Sequence, residues 1–487
     1  MVLGAQAQTA LPNLGDGQDL NPAAERRLGD RIARELYRDR DYLDDPVLGD
    51  YVERIWLRLL SAARQRGDLT PEMEESYAWR VALGRDRRVN AFALPGGYLG
   101  VHLGLIAVVD SEDELAAVLA HELSHVTQRH ISRMISKDKA QAPWMMGAMI
   151  LAMLAASRNP DAAGAMVAGG QAAAVQGQLN FSRDMEREAD RIGQGILVQA
   201  GFSPRGAVGV FEKLQQAARH DDRGNYPYLR SHPLTTERIA DMQSRQGMDP
   251  GRVPREQQTL THGLMAARAS VMMDQSVDAL RRHVAKARAL GGDTGAKTGE
   301  KSAALYAGVM AAMKLRDPAT AWKLQAQLMR LTQGEQSAAR LSALLGVELA
   351  LESNQADRAQ QGLAALAEGN ATGRAEVMLR TQMQLQTGQA AQAAQQLQVW
   401  LAGHQRDAMA WQYLARAYAD QGKQIPAIRA EAEAHASRLD YVAAYDRFQA
   451  AQEELGRRKN VDYVEASIVE TRKRELESLI REQALER

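Results

Sequence analysis

The stretch Glu114-Leu115-Ala116-Ala117-Val118-Leu119-Ala120-His121-Glu122-Leu123-Ser124-His125-Val126-Thr127-Gln128-Arg129-His130 decides how this chain is read. It is rich in Ala and Leu and free of Gly and Pro, and Asp110-Ser111 ahead of it can cap a helix. A helix stacks residues four apart on one face, so His121 and His125 point the same way. Two neutral imidazoles at that spacing can hold a zinc ion, and Glu122 beside them can act as a general base on water. The H-E-x-x-H pattern therefore sets the expectation of one Zn²⁺ per chain, with His121 and His125 among its ligands.

A third donor has to come from elsewhere. A longer pattern with a third histidine would need Gly at position 128 and His at 131, where Gln128 and Ile131 stand. His130 falls one residue early for it and is expected on the surface. A second helical stretch, 181–200, carries Glu186, Glu188 and Asp190. Periodicity puts Glu186, Ala189, Asp190, Gly193, Ile196 and Leu197 on one face, with Arg187, Glu188, Arg191 and Gln194 on the charged side. A carboxylate on an apolar face is costly unless it is paired or bound to a cation. Glu186 is thus the candidate third ligand. Asp190, one turn on, can hydrogen-bond an imidazole N–H, and Glu188 is expected to be a solvated bystander.

The rest of the chain frames these helices. Its 487 residues exceed one ordinary core, and its 60 basic and 60 acidic side chains cancel, which argues against a nucleic-acid partner. There is no cysteine, so disulfides and thiolate zinc sites are excluded while the compartment stays open. Residues 1–18 read as a flexible N-terminus, and Ala5-Gln6-Ala7 leaves a trimmed export signal open. Helices are expected from Asn21-Pro22 to Tyr37 and from Pro46 to Arg64. Short β-like runs follow at 77–83, 89–94 and, after Pro95-Gly96-Gly97, 98–102. An exposed strand containing Asn90, Ala91 and Phe92 could bind an extended substrate backbone by strand addition. The apolar run 142–156 falls short of the roughly 20 residues that span a bilayer, and a Gly/Ala-rich segment, 162–177, follows it; the region reads as a lid, a surface resting on lipid, or a buried hairpin. His232 precedes Pro233 and lies in an extended or turn segment, where a histidine is usually polar surface.

From about residue 256 strand signals vanish and a 34-residue spacing appears in Asn354, Gly388 and Gly422. Ala359, Ala393 and Ala427 hold the same phase, and Trp411, Leu414, Ala415 and Tyr418 fit much of the tetratricopeptide pattern. Stacked helix pairs of this kind build a concave surface for protein partners. The early units near Arg316-Asp317 drift from register, which leaves an irregular bundle as the alternative.

Taken together, Asn90-Ala91-Phe92-Ala93, the 120–130 run, Glu186-Arg187-Glu188-Ala189-Asp190, Ser231-His232-Pro233 and the repeats resemble the M48 family of zinc metallopeptidases, in its repeat-bearing periplasmic form. The resemblance implies a mainly α fold with a small β-sheet: a gluzincin-type metallopeptidase domain over 19–255, then a tetratricopeptide-type α-solenoid over 256–487. It implies that His121, His125 and Glu186 bind zinc, that Glu122 is the general base, and that Asp190 is an accessory acid. It also implies that His232 can take the fourth zinc position and hold the enzyme latent. The implied partners are unfolded or misassembled outer-membrane proteins, the β-barrel assembly machinery through the repeats, and a peripheral membrane contact. The implied compartment is the periplasm.

Overall fold

The computed structural model describes residues 20–137, 182–220, 225–246, 259–367, 373–457 and 462–485. The N-terminal stretch 1–18, the apolar segment 142–177 and the expected boundary near 255 lie outside the described residues.

Helix α1 (Pro22–Arg38) starts where Asn21 accepts a hydrogen bond from the Ala24 amide and Pro22 fills a first-turn position. After the two-residue strand β1 (Tyr42–Leu43), α2 (Pro46–Arg66) repeats the device with Asp45 as cap and closes on the left-handed Gly67. The short α3 (Pro71–Ser76) then leads to β2 (Arg80–Gly84), β3 (Ala91–Leu94) and β4 (Tyr98–His102). The sheet runs β1-β2-β4-β3: β2 is parallel to β4, and β3 lies antiparallel to β4 on the edge. Strand β2 starts later than the apolar run suggests, because Trp79 sits in the left-handed region at φ 50°. Strand β3 starts late because the Val89 amide donates to Asn225 O instead of entering the ladder. The turn 95–97 requires its glycines: a Cβ on Gly96 would fall 2.6 Å from Arg26 Cα.

After α4 (Leu103–Val108), Ser111 caps α5 (Glu112–Thr127), whose first turn carries Glu112, Asp113 and Glu114 against the helix dipole. Every residue of α5 from Asp113 to Thr127 is buried, so this is the central rod of the fold and not an amphipathic surface helix. Helices α6 (His130–Lys137), α7 (Arg183–Gln199), α8 (Arg205–His220), α9 (Pro227–Ser231) and α10 (Thr236–Gln246) follow. Gly193 lets α7 come close: a Cβ there would lie 3.1 Å from both Ala120 O and His121 N.

The C-terminal part is a helix-pair solenoid: α11 (Leu260–Met273) with α12 (Val277–Gly292), α13 (Thr298–Lys314) with α14 (Pro318–Thr332), and α15 (Gln336–Glu352) with α16 (Ala356–Ala367). It continues through α17 (Arg374–Gln386), α18 (Ala390–Gly403), α19 (Ala408–Asp420) and α20 (Gln424–Ser437) to α21 (Tyr441–Arg457) and α22 (Tyr463–Leu485). Asn354, Gly388 and Gly422 all adopt left-handed φ (54°, 75° and 72°) in the turn inside a pair, which is why they keep a common phase. Arg316 holds the same turn one unit earlier at φ 60°, out of the 34-residue spacing.

One apolar cluster runs without a break from Ile55 on α2 through Leu119 on α5 to Leu264, Tyr306 and Leu345 of the solenoid. The far end of the array also touches the peptidase side: Arg38 pairs with Asp440 at 2.8 Å, and Arg80 donates to Ser437 O at 3.1 Å. At the seam, Arg268 is fully buried among Asp45 (2.6 Å), Glu348 (2.7 Å) and the Tyr306 hydroxyl (3.2 Å). Removing one partner from such a cluster strands the others in low dielectric. Arg268→Ala is therefore expected to destabilise the full chain by about 3–5 kcal/mol, read as a lower urea midpoint. A shift under about 1 kcal/mol would show that Asp45 and Glu348 are solvated instead.

Candidate metal centre

Because α5 is straight through His125, His121 and His125 project from one face, their Nε2 atoms 3.0 Å apart. Glu186, in the first turn of α7, meets them with Oε2 at 3.5 Å from His121 Nε2 and Oε1 at 3.6 Å from His125 Nε2. The loop after α9 adds His232, whose Nδ1 is 2.9 Å from Glu186 Oε1 and 3.3 Å from His121 Nε2. All four side chains are buried, and one ligand atom from each lies within 4.8 Å of the others. The His232 backbone is held by its own amide donating to Tyr228 O, and its ring lies 4.7 Å from that of Tyr228.

These donors suit a tetrahedral cation. Bonds of 2.0–2.1 Å to nitrogen and oxygen place neighbouring ligand atoms about 3.3 Å apart, and these separations of 2.9–3.6 Å bracket that value. The electrostatics point the same way. Burial opposes charge on His121, yet Asp190 and Glu186 outweigh it and carry its pKa up to about 10, so the pocket's field favours positive charge. Burial and the neighbouring His121 hold His125 well below the usual imidazole range. Burial works to raise Glu186, but His232 and His121 keep it well below the usual carboxylate range.

The surrounding contacts fix each ligand. His121 Nδ1 lies 3.1 Å from Asp190 Oδ1, so its proton sits there and Nε2 is left as the donor to a cation. Arg238 of α10 clamps Asp190 at 2.7 and 2.8 Å, reaches Glu186 Oε2 at 2.8 Å, and donates to Pro233 O at 2.9 Å. It thereby joins α7 to the loop that carries His232. Sequence reading missed Arg238, because its own helix gives no sign that one position faces two carboxylates.

Two expectations are corrected. His130 is not a surface residue: it is fully buried, with Nδ1 2.8 Å from His125 Nδ1 and Nε2 3.1 Å from Glu188 Oε2. Glu188 is not a free solvated bystander, since it also pairs with Arg133 at 2.9 Å. The cause is a break in the helix. Arg129 takes φ 53°, tethered by Glu25 at 3.2 Å, and the turn swings His130 back over the His125 ring. A continuous helix would have placed His130 well round from that face.

Glu122 is fully buried beside the donors. Its Oε2 accepts the Ala93 amide at 2.9 Å, while Oε1 has no hydrogen-bond partner among the described residues and faces His232 Nε2 at 3.4 Å. Burial pushes its carboxyl up from the usual range. Along β3 the ladder alternates: Asn90 O accepts from His102 N, and Phe92 faces Gly100. Asn90 and Phe92 thus turn their backbone groups into the sheet, and Ala91 and Ala93, both buried, turn theirs away from β4. Val89 on that side is taken up by Asn225 and Tyr228.

An H-E-x-x-H helix completed by a glutamate from a later helix is the arrangement of a zinc metallopeptidase. Residues 51–246 match the model of peptidase family M48, and this part of the chain is an M48 peptidase domain. The beta-barrel assembly-enhancing protease of Escherichia coli K12 is 35% identical over 247 residues, 50% of this chain and 48% of that protein. The Yersinia pestis protein of the same name is 33% identical over 241 residues, 49% and 48% of the two chains. The mitochondrial metalloendopeptidase OMA1 of Arabidopsis thaliana is 33% identical over 195 residues, 40% and 36% of the two. The match spans about half the length of these bacterial relatives. No described helix is long and apolar enough to cross a membrane.

A cation held by side chains from α5, α7 and the His232 loop should tie them together. Zinc at about 1,000 times its dissociation constant is expected to stabilise the fold by about 4 kcal/mol, read as a higher melting temperature that a chelator reverses. His125→Ala should abolish the difference; an equal zinc response in that variant would remove the site.

Proposed function

We propose that the chain is a zinc-dependent endopeptidase whose ligands are His121, His125 and Glu186, with Glu122 as general base. The observation that carries this reading is the buried Glu122 Oε1, left without a hydrogen-bond partner beside a convergent donor cluster. When bound, zinc supplies a Lewis acid for the scissile carbonyl and makes water acidic enough to deprotonate near neutral pH.

The protein's own groups do the rest. An extended substrate segment adds to β3 along the edge not paired with β4, reaching the buried Ala91 backbone once the His232 loop has moved. Glu122, oriented by the Ala93 amide, takes the proton from water through Oε1 and passes it to the leaving amine. Its raised pKa suits both halves of that exchange. Asp190 holds His121 in the tautomer that leaves Nε2 free, and Arg238 holds Asp190 and Glu186 in place. The ring of His232 fills the space between Glu122 and the ligands, so the site is latent until that loop moves.

The substrates we propose are unfolded or misassembled outer-membrane β-barrel proteins, met in the periplasm. The solenoid docks them or their assembly machinery and assists assembly. Support comes from the name of the relatives and from the helix-pair surface beside the site. The division into a peptidase part over 19–255 and a repeat part over 256–487 belongs to the same reading, as does a lipid contact by residues 142–177.

Glu122→Gln should keep zinc and lower casein cleavage by about 10²–10⁴-fold. Casein degradation at the wild-type rate would defeat the assignment. His232→Ala should raise basal proteolysis; a loss of activity with folding intact would make His232 a substrate-binding residue instead of a plug.

A further inference from the structure

We infer that His130 is a positioning residue for the metal centre, with Glu188 as its anchor: together they fix the tautomer and ring angle of His125. The inference rests on the reading that the cluster binds a cation. His125 Nε2 faces the other donors, so its proton belongs on Nδ1. The atom 2.8 Å from Nδ1 is His130 Nδ1, which must then be the acceptor. That assignment leaves His130 Nε2 as a donor, and Glu188 Oε2 lies 3.1 Å from it. The chain His125 to His130 to Glu188 is therefore proton-consistent at every link. Arg133, 2.9 Å from the same carboxylate oxygen, holds Glu188 charged and in place.

The layout parallels the support of the other histidine, where Asp190 faces His121 Nδ1 directly at 3.1 Å. His125 has no carboxylate at that distance among the described residues. A neutral ring is interposed, and the carboxylate sits one link away, partly exposed on α7. Two features of the fold make this contact possible. The left-handed Arg129 breaks the rod between α5 and α6, and its side chain reaches Glu25 at 3.2 Å. Without the break, His130 would not lie over His125.

A group that orients a ligand and raises its basicity acts on metal affinity before it acts on turnover. The test measures zinc affinity of the full-length protein by competition with a chelator of known affinity, together with the visible spectrum of the Co²⁺-substituted protein. His130→Ala should weaken zinc about 10–100-fold and alter the Co²⁺ spectrum. His130→Asn, whose Oδ1 can occupy the place of Nδ1 and still accept from His125, should recover most of the affinity. Glu188→Ala changes a partly exposed side chain and should weaken zinc about tenfold with the metal-free melting temperature unchanged; it keeps the test alive if His130→Ala does not fold. Equal weakening by His130→Ala and His130→Asn, or wild-type affinity in Glu188→Ala, overturns the inference. Failure of the wild type itself to bind zinc overturns the underlying metal reading instead.

Discussion

Gathering Glu122, Glu186, Asp190, Arg238 and four histidines in one dry place is the constraint around which the rest of the peptidase part is built. Each charge taken from water carries a penalty of several kcal/mol unless close partners replace the lost hydration. The structure meets that demand with geometry. Gly193 brings α7 against the backbone of α5, so the carboxylates arrive at the imidazoles and not a few ångströms short. Arg238 supplies the one guanidinium that can satisfy two carboxylates at once. The carboxylates of Asp190 and Glu186 outweigh burial at His121 and favour positive charge there.

Much of this was legible in the linear chain, for reasons that can be named. Glu186 and Asp190 stand on the apolar face of their helix, where an unpaired carboxylate has no business unless something faces it. The repeat phase was visible because Asn354, Gly388 and Gly422 share a left-handed turn that few residues tolerate. Arg316 hid the same turn, since an arginine there gives no hint of positive φ. His130 misled because the 3.6-residue period was carried past Gln128, whereas the chain turns at Arg129. Arg238 carried no signal at all: its role depends on where α10 lies against α7, a tertiary fact. His232 looked like any loop histidine, and only the Tyr228 and Pro233 contacts show that its loop is pinned.

The edge strand shows how closely the parts are interlocked. Val89, at the foot of β3, bonds to Asn225 and to Tyr228 of α9, the helix that His232 follows, and Ala93, near its top, bonds to Glu122. Ala91 lies between them, fully buried, with its backbone groups turned away from β4. The proposed base, plug and docking strand are thus tied to one short stretch of chain.

The solenoid is fastened at both ends: α11 shares the apolar core, and Ser437 and Asp440 near its far end bond to Arg80 and Arg38. A chain of stacked hairpins held at one end behaves as a spring, free to flex and to lengthen. Held in its middle as well, where Arg374 pairs with Asp44 and the Ala375 amide donates to Asp50 of α2, it is a girder seated along its whole length. A displacement of the array would therefore be felt in α1, α2 and β2 together, and β2 is paired along its length with β4 of the sheet beside the donor cluster.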